Sequence, residues 1–510
     1  MPQIIDEMET SINMGNTEII KSRVLIVTGF APVRLPQLLD MGMPVGPISL
    51  LARMAGKSIL QFSIPTVAPA VLATFLTERG VDVEIADYFI DTEKTYDADI
   101  VGISSTFMGV DDVKQIANKV EMDNPRAVII LGGPLSWSVP PDEILKIVPA
   151  IDYIVMREGE QTFLELIRAI EVGADTNHIS GLVYKRGGSI LKTIPRQPAP
   201  CESIRQPDWK LMGIPSTRRL PVLPVEASRG CPFNCAYCSE VSYWDKPVRY
   251  RSIESVVQEL IRNVVELGIH TFRFTDSCFS APPERCAQLC DTIYESCDKN
   301  GIALKWSSYA RISSLNYSLL EKMKRSGCVA LDIGVESGST EMLRSMGRNY
   351  APEAALKIAR FARELGIITN FNIVVGFPGE TRDSIMRTAE LIETAAPDTY
   401  ASFLFYMAPN TRVDGAHERF HIEGHGLNWK HDTMSSVEAQ EGMLALDSYV
   451  GNSANFPGGE YFACYLSSLG YTVDEIRGFY HGITNLVKTP DDSSALATVG
   501  RVVESVRIYW

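Results

Sequence analysis

The chain has 510 residues, of which 45% are hydrophobic and 22% are charged. This composition is typical of a soluble globular protein, and it excludes global disorder, a collagen-like repeat and a disulfide-dense secreted scaffold. Hydrophobic cores rarely grow beyond roughly 250–300 residues, so we expect two or three domains. The formal net charge of −14 disfavours broad binding to a nucleic-acid backbone.

The sequence carries no signal for a membrane or for secretion. It has no run of about 18 apolar residues that could cross a bilayer, and its first 23 residues contain early carboxylates and no apolar stretch. We therefore expect a cytoplasmic protein without a membrane partner. In that compartment the ten cysteines should be reduced, so close cysteine spacing indicates a metal site before a disulfide.

Short apolar strands alternate with amphipathic segments in residues 23–186, after an N-terminal arm of residues 1–22. The predicted strands are residues 23–29, 81–86, 99–104, 127–132 and 152–155. The alternation predicts a doubly wound, Rossmann-like α/β domain, whose parallel sheet would bind a ligand at the carboxyl ends of its strands. Residues 187–222 are rich in proline and lack periodicity, so they are predicted to be a linker.

A second series of strands and helices fills residues 223–414. The predicted strands are residues 223–227, 271–275, 303–308, 329–335, 369–375 and 400–406. Six strands are fewer than the eight of a closed barrel, so we expect an open, partial (β/α)6 barrel. Residues 415–510 are predicted to be a small, mainly helical C-terminal region.

Three cysteines lie on the loop that follows the first strand of the second series. They are Cys231, Cys235 and Cys238, in the segment RGCPFNCAYC. Three thiolates at this spacing can bind three irons of a cubane cluster and leave the fourth iron open. A zinc ribbon would normally need a second cysteine pair at similar spacing, which is not found. The other seven cysteines are expected to be small buried hydrophobic residues.

This segment resembles the CxxxCxxC signature of radical S-adenosylmethionine (radical SAM) enzymes. Later motifs match the cobalamin-dependent branch of that family in the same order: FTD (274–276), WSSYAR (306–311), GVESG (334–338) and VGFPGET (375–381). One departure is Ser277, which stands where the branch usually has a second acid. The resemblance implies a 4Fe-4S cluster on the three cysteines and bound S-adenosylmethionine (SAM).

The resemblance also implies which residues contact SAM. They are Tyr237, Asp276, Arg311, Glu336, Gly376, Pro378 and Gly379. The turn at Gly376 would seat the adenine, and Tyr237 would pack against the cluster and the adenine. Glu336 would contact the ribose or the amino group of SAM, with a structural salt bridge as the alternative. Arg311 would pair with the methionine carboxylate or with Glu336, or else lie at the surface, and the partner of Asp276 stays open.

The first domain resembles the cobalamin-binding domain of the same branch. The implied cobalamin residues are Pro44, Gly46, Ser104, Thr106, Gly132, Gly133, Trp137 and Glu158. Trp137 would lie over the corrin or fill a domain interface. The DxHxxG element that supplies an axial histidine in cobalamin mutases is absent, and residues 23–173 contain no histidine. This absence fits the family, and it also fits a domain that has lost the cofactor.

The resemblance implies a cobalamin-dependent radical SAM enzyme, a C-methyltransferase acting on a small molecule such as a secondary metabolite. A 5′-deoxyadenosyl radical and methylcobalamin would carry the reaction, and a flavodoxin or ferredoxin would supply electrons. The alternative is a cyclase, rearrangement or oxidation enzyme in which cobalamin is not the methyl donor. A cluster protein that only transfers electrons would leave Glu336 and the turn at 376–380 unexplained, and no nucleic-acid partner is expected.

Four histidines fall within residues 417–431, and three of them are spaced four apart. That spacing suits one helical face and suggests a metal site. However, Gly424 and Gly426 interrupt any helix there, and no cysteine or carboxylate cluster completes a ligand set. A loop is the favoured interpretation. The resemblance implies that residues 415–510 cover the substrate opening and that NWKHDTM (428–434) is a loop that closes over it.

Overall fold

The computed structural model describes residues 20–29, 66–106, 108–201, 204–214, 222–244 and 247–507. Pro44 and Gly46, two of the expected cobalamin residues, lie outside the described residues. The chain forms two compact units. The first contains the described parts of Met1–Thr28, Ala68–Ser136 and Pro140–Arg196, and the second contains those of Gly29–Val67, Trp137–Val139 and Gln197–Trp510.

The first unit is built on a sheet of seven described strands in the order β2-β1-β3-β4-β5-β6-β7. The strands are β1 (Arg23–Thr28), β2 (Asp82–Asp87), β3 (Ile100–Ser104), β4 (Val128–Gly132), β5 (Tyr153–Val155), β6 (Leu182–Arg186) and β7 (Ser189–Lys192). The first five pair in parallel, and β6 and β7 add an antiparallel hairpin. The hairpin takes the sheet into residues 189–192, at the start of the predicted linker.

Helices connect these strands. They are α1 (Val67–Thr77), α2 (Val110–Asp123), α3 (Leu135–Ser138), α4 (Pro141–Ile147) and α5 (Glu160–Glu171). The order of the parallel strands changes direction between β1 and β3, and this reversal is the topological switch point at which doubly wound sheets bind ligands. Val24 to Val27 are at most 2% exposed, as expected for a strand covered on both faces. The predicted doubly wound domain is confirmed.

The second unit contains a sheet of seven described strands, all paired in parallel, in the order β19-β15-β14-β13-β12-β11-β8. The strands are β8 (Leu223–Val225), β11 (Thr271–Phe274), β12 (Lys305–Arg311), β13 (Cys328–Glu336), β14 (Ile368–Val375), β15 (Thr399–Leu404) and β19 (Ala454–Asn455). A short ribbon, β9 (Ser228–Arg229) with β10 (Arg249–Tyr250), flanks the first strand. The expected partial barrel is confirmed, with β19 as an additional strand.

Helices alternate with the barrel strands and then form the C-terminal region. They are α6 (Glu240–Trp244), α7 (Ile253–Leu267), α8 (Pro283–Asn300), α9 (Tyr317–Arg325), α10 (Thr340–Ser345), α11 (Glu353–Glu364), α12 (Arg382–Ala395), α13 (His417–Phe420), α14 (Ser436–Tyr449), α15 (Gly459–Ser468), α16 (Val473–Lys488) and α17 (Ser493–Arg507). Short 3-10 helices lie at Trp209–Met212, Ile312–Ser314 and Asp414–Ala416. The described C-terminal region is therefore mainly helical, as predicted.

Helix α15 packs against the central strands of the barrel. Ala330 and Ile368 of those strands share a buried apolar cluster with Phe462 of α15 and with residues of α16 and α17. Arg273 of β11 donates to Glu460 of α15 at 2.6 Å, and the Glu460 side chain is fully buried. The C-terminal helices thus complete the core of the second unit.

Residues 428–434 form strands and not the expected loop. A three-stranded sheet contains β16 (Glu423–His425), β17 (Asn428–His431) and β18 (Met434–Ser435), paired antiparallel. Trp429 and His431 point into the protein and are each 3% exposed. The strict alternation of buried and exposed residues in β17 is that of a strand with one covered face.

Within the described part of the chain, no helix combines the length and apolar character needed to cross a membrane.

Candidate active site

The three cysteines of the CxxxCxxC segment follow β9 on one loop. Gly230 precedes them with φ of 97°, a left-handed conformation that glycine adopts without steric cost. Cys235 is buried, Cys231 and Cys238 are partly exposed, and all three thiols are free. The amide of Ala236 donates to Met346 O at 3.0 Å and the amide of Val413 donates to Ala236 O at 3.0 Å, so backbone bonds from two other segments fix the loop.

Burial raises the pKa of two of these thiols. It raises the pKa of Cys238 to about 12, with a smaller contribution from the Glu240 carboxylate. Burial likewise raises the pKa of Cys231. Because iron binds the thiolate form, cluster binding releases these protons.

Arg311, at the end of β12, is directed at the cysteine loop. Its Nη1 donates to Cys235 Sγ at 3.2 Å, and its guanidinium carbon lies 3.9 Å from the centre of the Phe233 ring. The side chain also donates from Nε to Ser313 Oγ at 3.0 Å. Arg311 is 6% exposed, so the expected alternative of a surface position is wrong. Its side chain contacts the Cys235 thiol, whereas Glu336 pairs with Arg348.

Glu336 ends β13 in a left-handed conformation, with φ of 69°, and pairs with Arg348 in a buried salt bridge. The same Arg348 nitrogen donates to the Tyr237 hydroxyl at 2.7 Å. The Tyr237 ring packs edge-on against Phe377, with ring centres 6.2 Å apart. The structure therefore brings Tyr237 and Glu336 together through Arg348, a residue that the motif analysis did not identify.

Asp276 follows β11 and is 3% exposed. Its carboxylate accepts from the Ala227 amide at 3.0 Å and from the Ser228 hydroxyl. Burial raises the pKa of Asp276 to about 6. The partner that sequence left open is therefore the chain just before the cysteine loop, which Asp276 holds in place.

The turn after β14 contains Gly376, Pro378 and Gly379. Gly376 and Gly379 have φ of 90° and 94°, and Pro378 is buried while Gly379 is exposed. Glu380, which is 1% exposed, accepts from the Gly376 amide at 2.5 Å. Its burial raises the pKa of Glu380 to about 8. A buried carboxyl thus closes the turn that is expected to seat adenine.

In the first unit, Ser104, Thr106, Gly132 and Gly133 meet at the carboxyl ends of β3 and β4. Ser105 connects the two ends, because its amide and hydroxyl donate to Gly132 O at 2.9 and 2.7 Å. A Cβ added at Gly132 would meet no atom of the described residues within 4 Å. The described residues therefore leave open space at the carboxyl end of β4, one strand from the switch point. Glu158 follows the neighbouring strand β5.

Trp137 belongs to the second unit. Its indole nitrogen donates to Ser242 Oγ at 3.3 Å, and its ring lies edge-on to Tyr243 with centres 6.1 Å apart. The structure thus places Trp137 beside α6, the helix after the cysteine loop.

The C-terminal histidines do not share a helical face. His417 begins α13 and contacts Asp414 at 3.3 Å, His421 leaves that helix with φ of 45°, and His425 lies in β16. Among the described residues, no three His, Cys, Asp or Glu side chains converge on one metal-ion position.

Two family models match the chain. The B12 binding domain model matches residues 60–167, and the Radical SAM superfamily model matches residues 225–392. An uncharacterised methyltransferase of Pyrococcus horikoshii is 30% identical over 370 residues, which cover 70% of this chain and 79% of that protein. The chain belongs to the cobalamin-dependent radical SAM enzyme family.

Other relatives of this radical SAM enzyme differ in their named reaction. An anaerobic magnesium-protoporphyrin IX monomethyl ester cyclase of Rubrivivax gelatinosus is 27% identical over 320 residues, or 60% of this chain and 56% of the cyclase. The solved structure of the radical SAM methyltransferase TsrM from Kitasatospora setae, with cobalamin and a 4Fe-4S cluster bound, matches with a TM-score of 0.67 at 17% identity. That match covers 92% of this chain and 99% of the TsrM chain, and at this identity it shows the shared fold.

The cofactors of this enzyme are a 4Fe-4S cluster, SAM and cobalamin. The described residues fit them. Three free thiols lie on one fixed loop with the Arg311 cation against Cys235, which suits an anionic thiolate cluster. In the first unit, the open space at Gly132 suits a close approach of a ligand to the backbone.

Proposed function

We propose that this enzyme is a C-methyltransferase that acts on a small-molecule substrate. The observation that carries the proposal is the Pyrococcus horikoshii relative, which is named a methyltransferase and which this chain matches over 79% of its length. The net charge of −14 supports a small molecule over a polynucleotide. A flavodoxin or ferredoxin is the proposed electron donor, and the cytoplasm is the proposed compartment.

When bound, the cluster and SAM supply a 5′-deoxyadenosyl radical, and methylcobalamin supplies the methyl group. In our proposal Cys231, Cys235 and Cys238 bind the cluster. The Arg311 guanidinium offsets the negative charge of the thiolates, because its Nη1 lies 3.2 Å from Cys235 Sγ and it is buried away from screening water.

The SAM site is proposed to lie between Tyr237, Glu336 and the turn of Gly376, Pro378 and Gly379. The buried pair of Glu336 with Arg348 orients both Glu336 and the Tyr237 hydroxyl. Asp276 is proposed to stabilise this site indirectly. Its carboxylate accepts from the Ala227 amide and the Ser228 hydroxyl, and so fixes the segment that leads into the cysteine loop.

Cobalamin is proposed to bind at the carboxyl edge of the first sheet, beside Ser104, Thr106, Gly132, Gly133 and Glu158. Pro44 and Gly46 remain proposed contacts from the sequence. Trp137 remains a proposed cobalamin contact on sequence position alone. The domain bounds remain proposals from the sequence: 1–22, 23–186, 187–222, 223–414 and 415–510.

A second candidate, a cyclase, rearrangement or oxidation enzyme, is favoured by the 27% identity to the Rubrivivax gelatinosus cyclase. The two candidates differ in whether cobalamin is methylated. We would add SAM with a trideuterated methyl group and a reductant to the anaerobic enzyme loaded with cobalamin, then measure the mass of the bound cobalamin. Uptake of the labelled methyl group is expected. Loaded enzyme that cleaves SAM but never labels its cobalamin would favour the second candidate.

A further inference from the structure

Strand β17 places two aromatic side chains against the turn at Gly376. The rings of Trp429 and His431 stack with centres 5.1 Å apart and planes 7° apart. The Trp429 indole nitrogen donates to Phe405 O at 2.7 Å. A Cβ added at Gly376 would lie 2.5 Å from the Trp429 ring and 2.8 Å from the Ala439 side chain, so the indole packs directly against the turn and leaves no room for a side chain there.

Both backbone polar groups of Gly376 are held by buried ionisable side chains. The amide donates to Glu380 at 2.5 Å, and the carbonyl lies 3.1 Å from His431 Nε2. A carbonyl oxygen can only accept, so Nε2 must carry the proton. The peptide groups on either side of a φ of 90° are therefore fixed in direction.

The other ring nitrogen is consistent with that tautomer. His431 Nδ1 lies 3.2 Å from the Thr433 hydroxyl and 3.4 Å from the Thr433 amide, so it can accept from Thr433. Burial lowers the pKa of His431, which keeps the ring neutral. A neutral imidazole with a protonated Nε2 is the form that fits both neighbours.

We propose that His431 is a positioning residue for the adenosyl half of SAM, acting through the Gly376 carbonyl. The proposal rests on the function proposed above, in which the Gly376–Gly379 turn seats the adenine. His431 lies 55 residues beyond Gly376, in the C-terminal region, so in this proposal the region contributes to SAM binding through the turn, in addition to any role over the substrate opening. Trp429 acts with it by filling the space behind the turn.

The test compares three variants of the full-length, anaerobically reconstituted enzyme. His431→Leu removes the donor, His431→Gln retains an N–H donor, and His425→Leu is the matched control because His425 is exposed in the same sheet. Dissociation constants for SAM and for free methionine would be measured by titrating the paramagnetic resonance signal of the reduced cluster. Methionine is the probe for the half of SAM that the turn does not touch.

For His431→Leu we expect the SAM dissociation constant to rise about five- to tenfold, the effect of one buried hydrogen bond, with methionine binding unchanged. His431→Gln should recover most of the affinity, and His425→Leu should match the wild type. If His431→Leu does not hold a full cluster, Thr433→Val is used in its place. This variant removes only the hydroxyl that orients the His431 ring, so its SAM dissociation constant should rise about two- to threefold.

Three results would overturn the proposal. They are an unchanged SAM affinity in His431→Leu, an equal SAM affinity in His431→Leu and His431→Gln, or a parallel loss of methionine binding. The last result would indicate general distortion of the barrel. Failure of the proposed methyltransferase function has a different signature. In that case the wild-type enzyme would still bind and cleave SAM but would never label its bound cobalamin.

Discussion

Glu336 occupies a backbone conformation that costs a non-glycine residue about 1–3 kcal/mol. Its φ of 69° persists because Arg348 holds its carboxylate and because Gly334 leaves space for it. A Cβ at Gly334 would lie 2.5 Å from Glu336 Oε1. The buried carboxylate therefore explains Gly334. Gly338 has a different reason, because a Cβ there would lie 2.4 Å from Arg387 O.

We expect Glu336→Gln to retain the cluster but to weaken SAM binding by roughly 1.5–3 kcal/mol, the contribution of a hydrogen bond to a charged group. Titration of the cluster signal with SAM measures this change. Thermal unfolding should be followed in parallel, because Arg348 loses its buried partner. Unchanged SAM affinity together with reduced stability would show that the salt bridge is only structural.

Single replacement of Cys231, Cys235 or Cys238 by alanine should abolish the cluster and all SAM cleavage, because a cubane needs three protein thiolates here. Iron content and the release of 5′-deoxyadenosine are the measurements. Cys286→Ala is the control, since Cys286 is 2% exposed within α8 and belongs to no cluster motif. A full cluster in any of the three variants would contradict the ligand assignment.

The pKa of Glu380 gives a prediction for the pH dependence of stability. The folded state retains its proton up to about pH 8, whereas an ordinary glutamate loses it near 4.5. Between these values unfolding releases a proton, so the stability contribution falls as pH rises, by about 1.4 kcal/mol for each unit of pKa shift.

Glu380→Gln keeps an acceptor for the Gly376 amide but cannot titrate. The melting temperature of the wild-type apoprotein should therefore decline relative to that of Glu380→Gln between pH 5 and pH 8. Parallel curves for the two proteins would refute a protonated Glu380.

At the scale of elements, sequence patterns predicted the five parallel strands of the first sheet, six of the seven described strands of the second and the order of the motifs, because continuous apolar runs and glycine turns are local signals. They missed the hairpin of β6 and β7 at the edge of the first sheet, and they missed β19, whose two residues are too few to show a period. They also missed Arg348, which reaches Glu336 from beyond α10, and they predicted a loop at His431. Each of these depends on which distant segments pack together, which no local pattern contains.

The contact between β11 and α15 provides a prediction about the second unit. Glu460→Ala leaves the Arg273 guanidinium buried without its partner, and breaking such a pair costs about 3–5 kcal/mol. Chemical denaturation should show this loss. Glu266→Ala, which removes an exposed pair with Lys210, is the control and should change stability little. A comparable effect of both substitutions would mean that the buried pair does not hold α15.

At the scale of the whole molecule, the histidines are unevenly distributed along the chain. The first unit has no histidine in residues 23–173, and His178, beyond α5, is exposed. No imidazole from its sheet or helices can therefore reach the lower face of a bound cobalt.

We accordingly expect cobalamin to bind with its nucleotide tail beside Ser104, Thr106 and Gly132, and with no protein nitrogen on the cobalt. Paramagnetic resonance of the cobalt(II) state tests this, using protein made with and without nitrogen-15. A nitrogen splitting that changes with the protein label would contradict the prediction. If the purified protein takes up no cobalamin, the proposal of cobalamin-dependent methyl transfer is wrong.

The ion pair between Arg273 and Glu460 cannot form until late in the synthesis of the chain. The two residues are 187 positions apart, and at about 5–20 residues per second the ribosome needs roughly 10–40 s to make the chain between them. During that interval the later barrel strands are synthesised before the helix that packs on them, and Arg273 is without Glu460. The cysteine loop precedes Arg273, so all three thiols are synthesised before α15 can complete the core of the second unit.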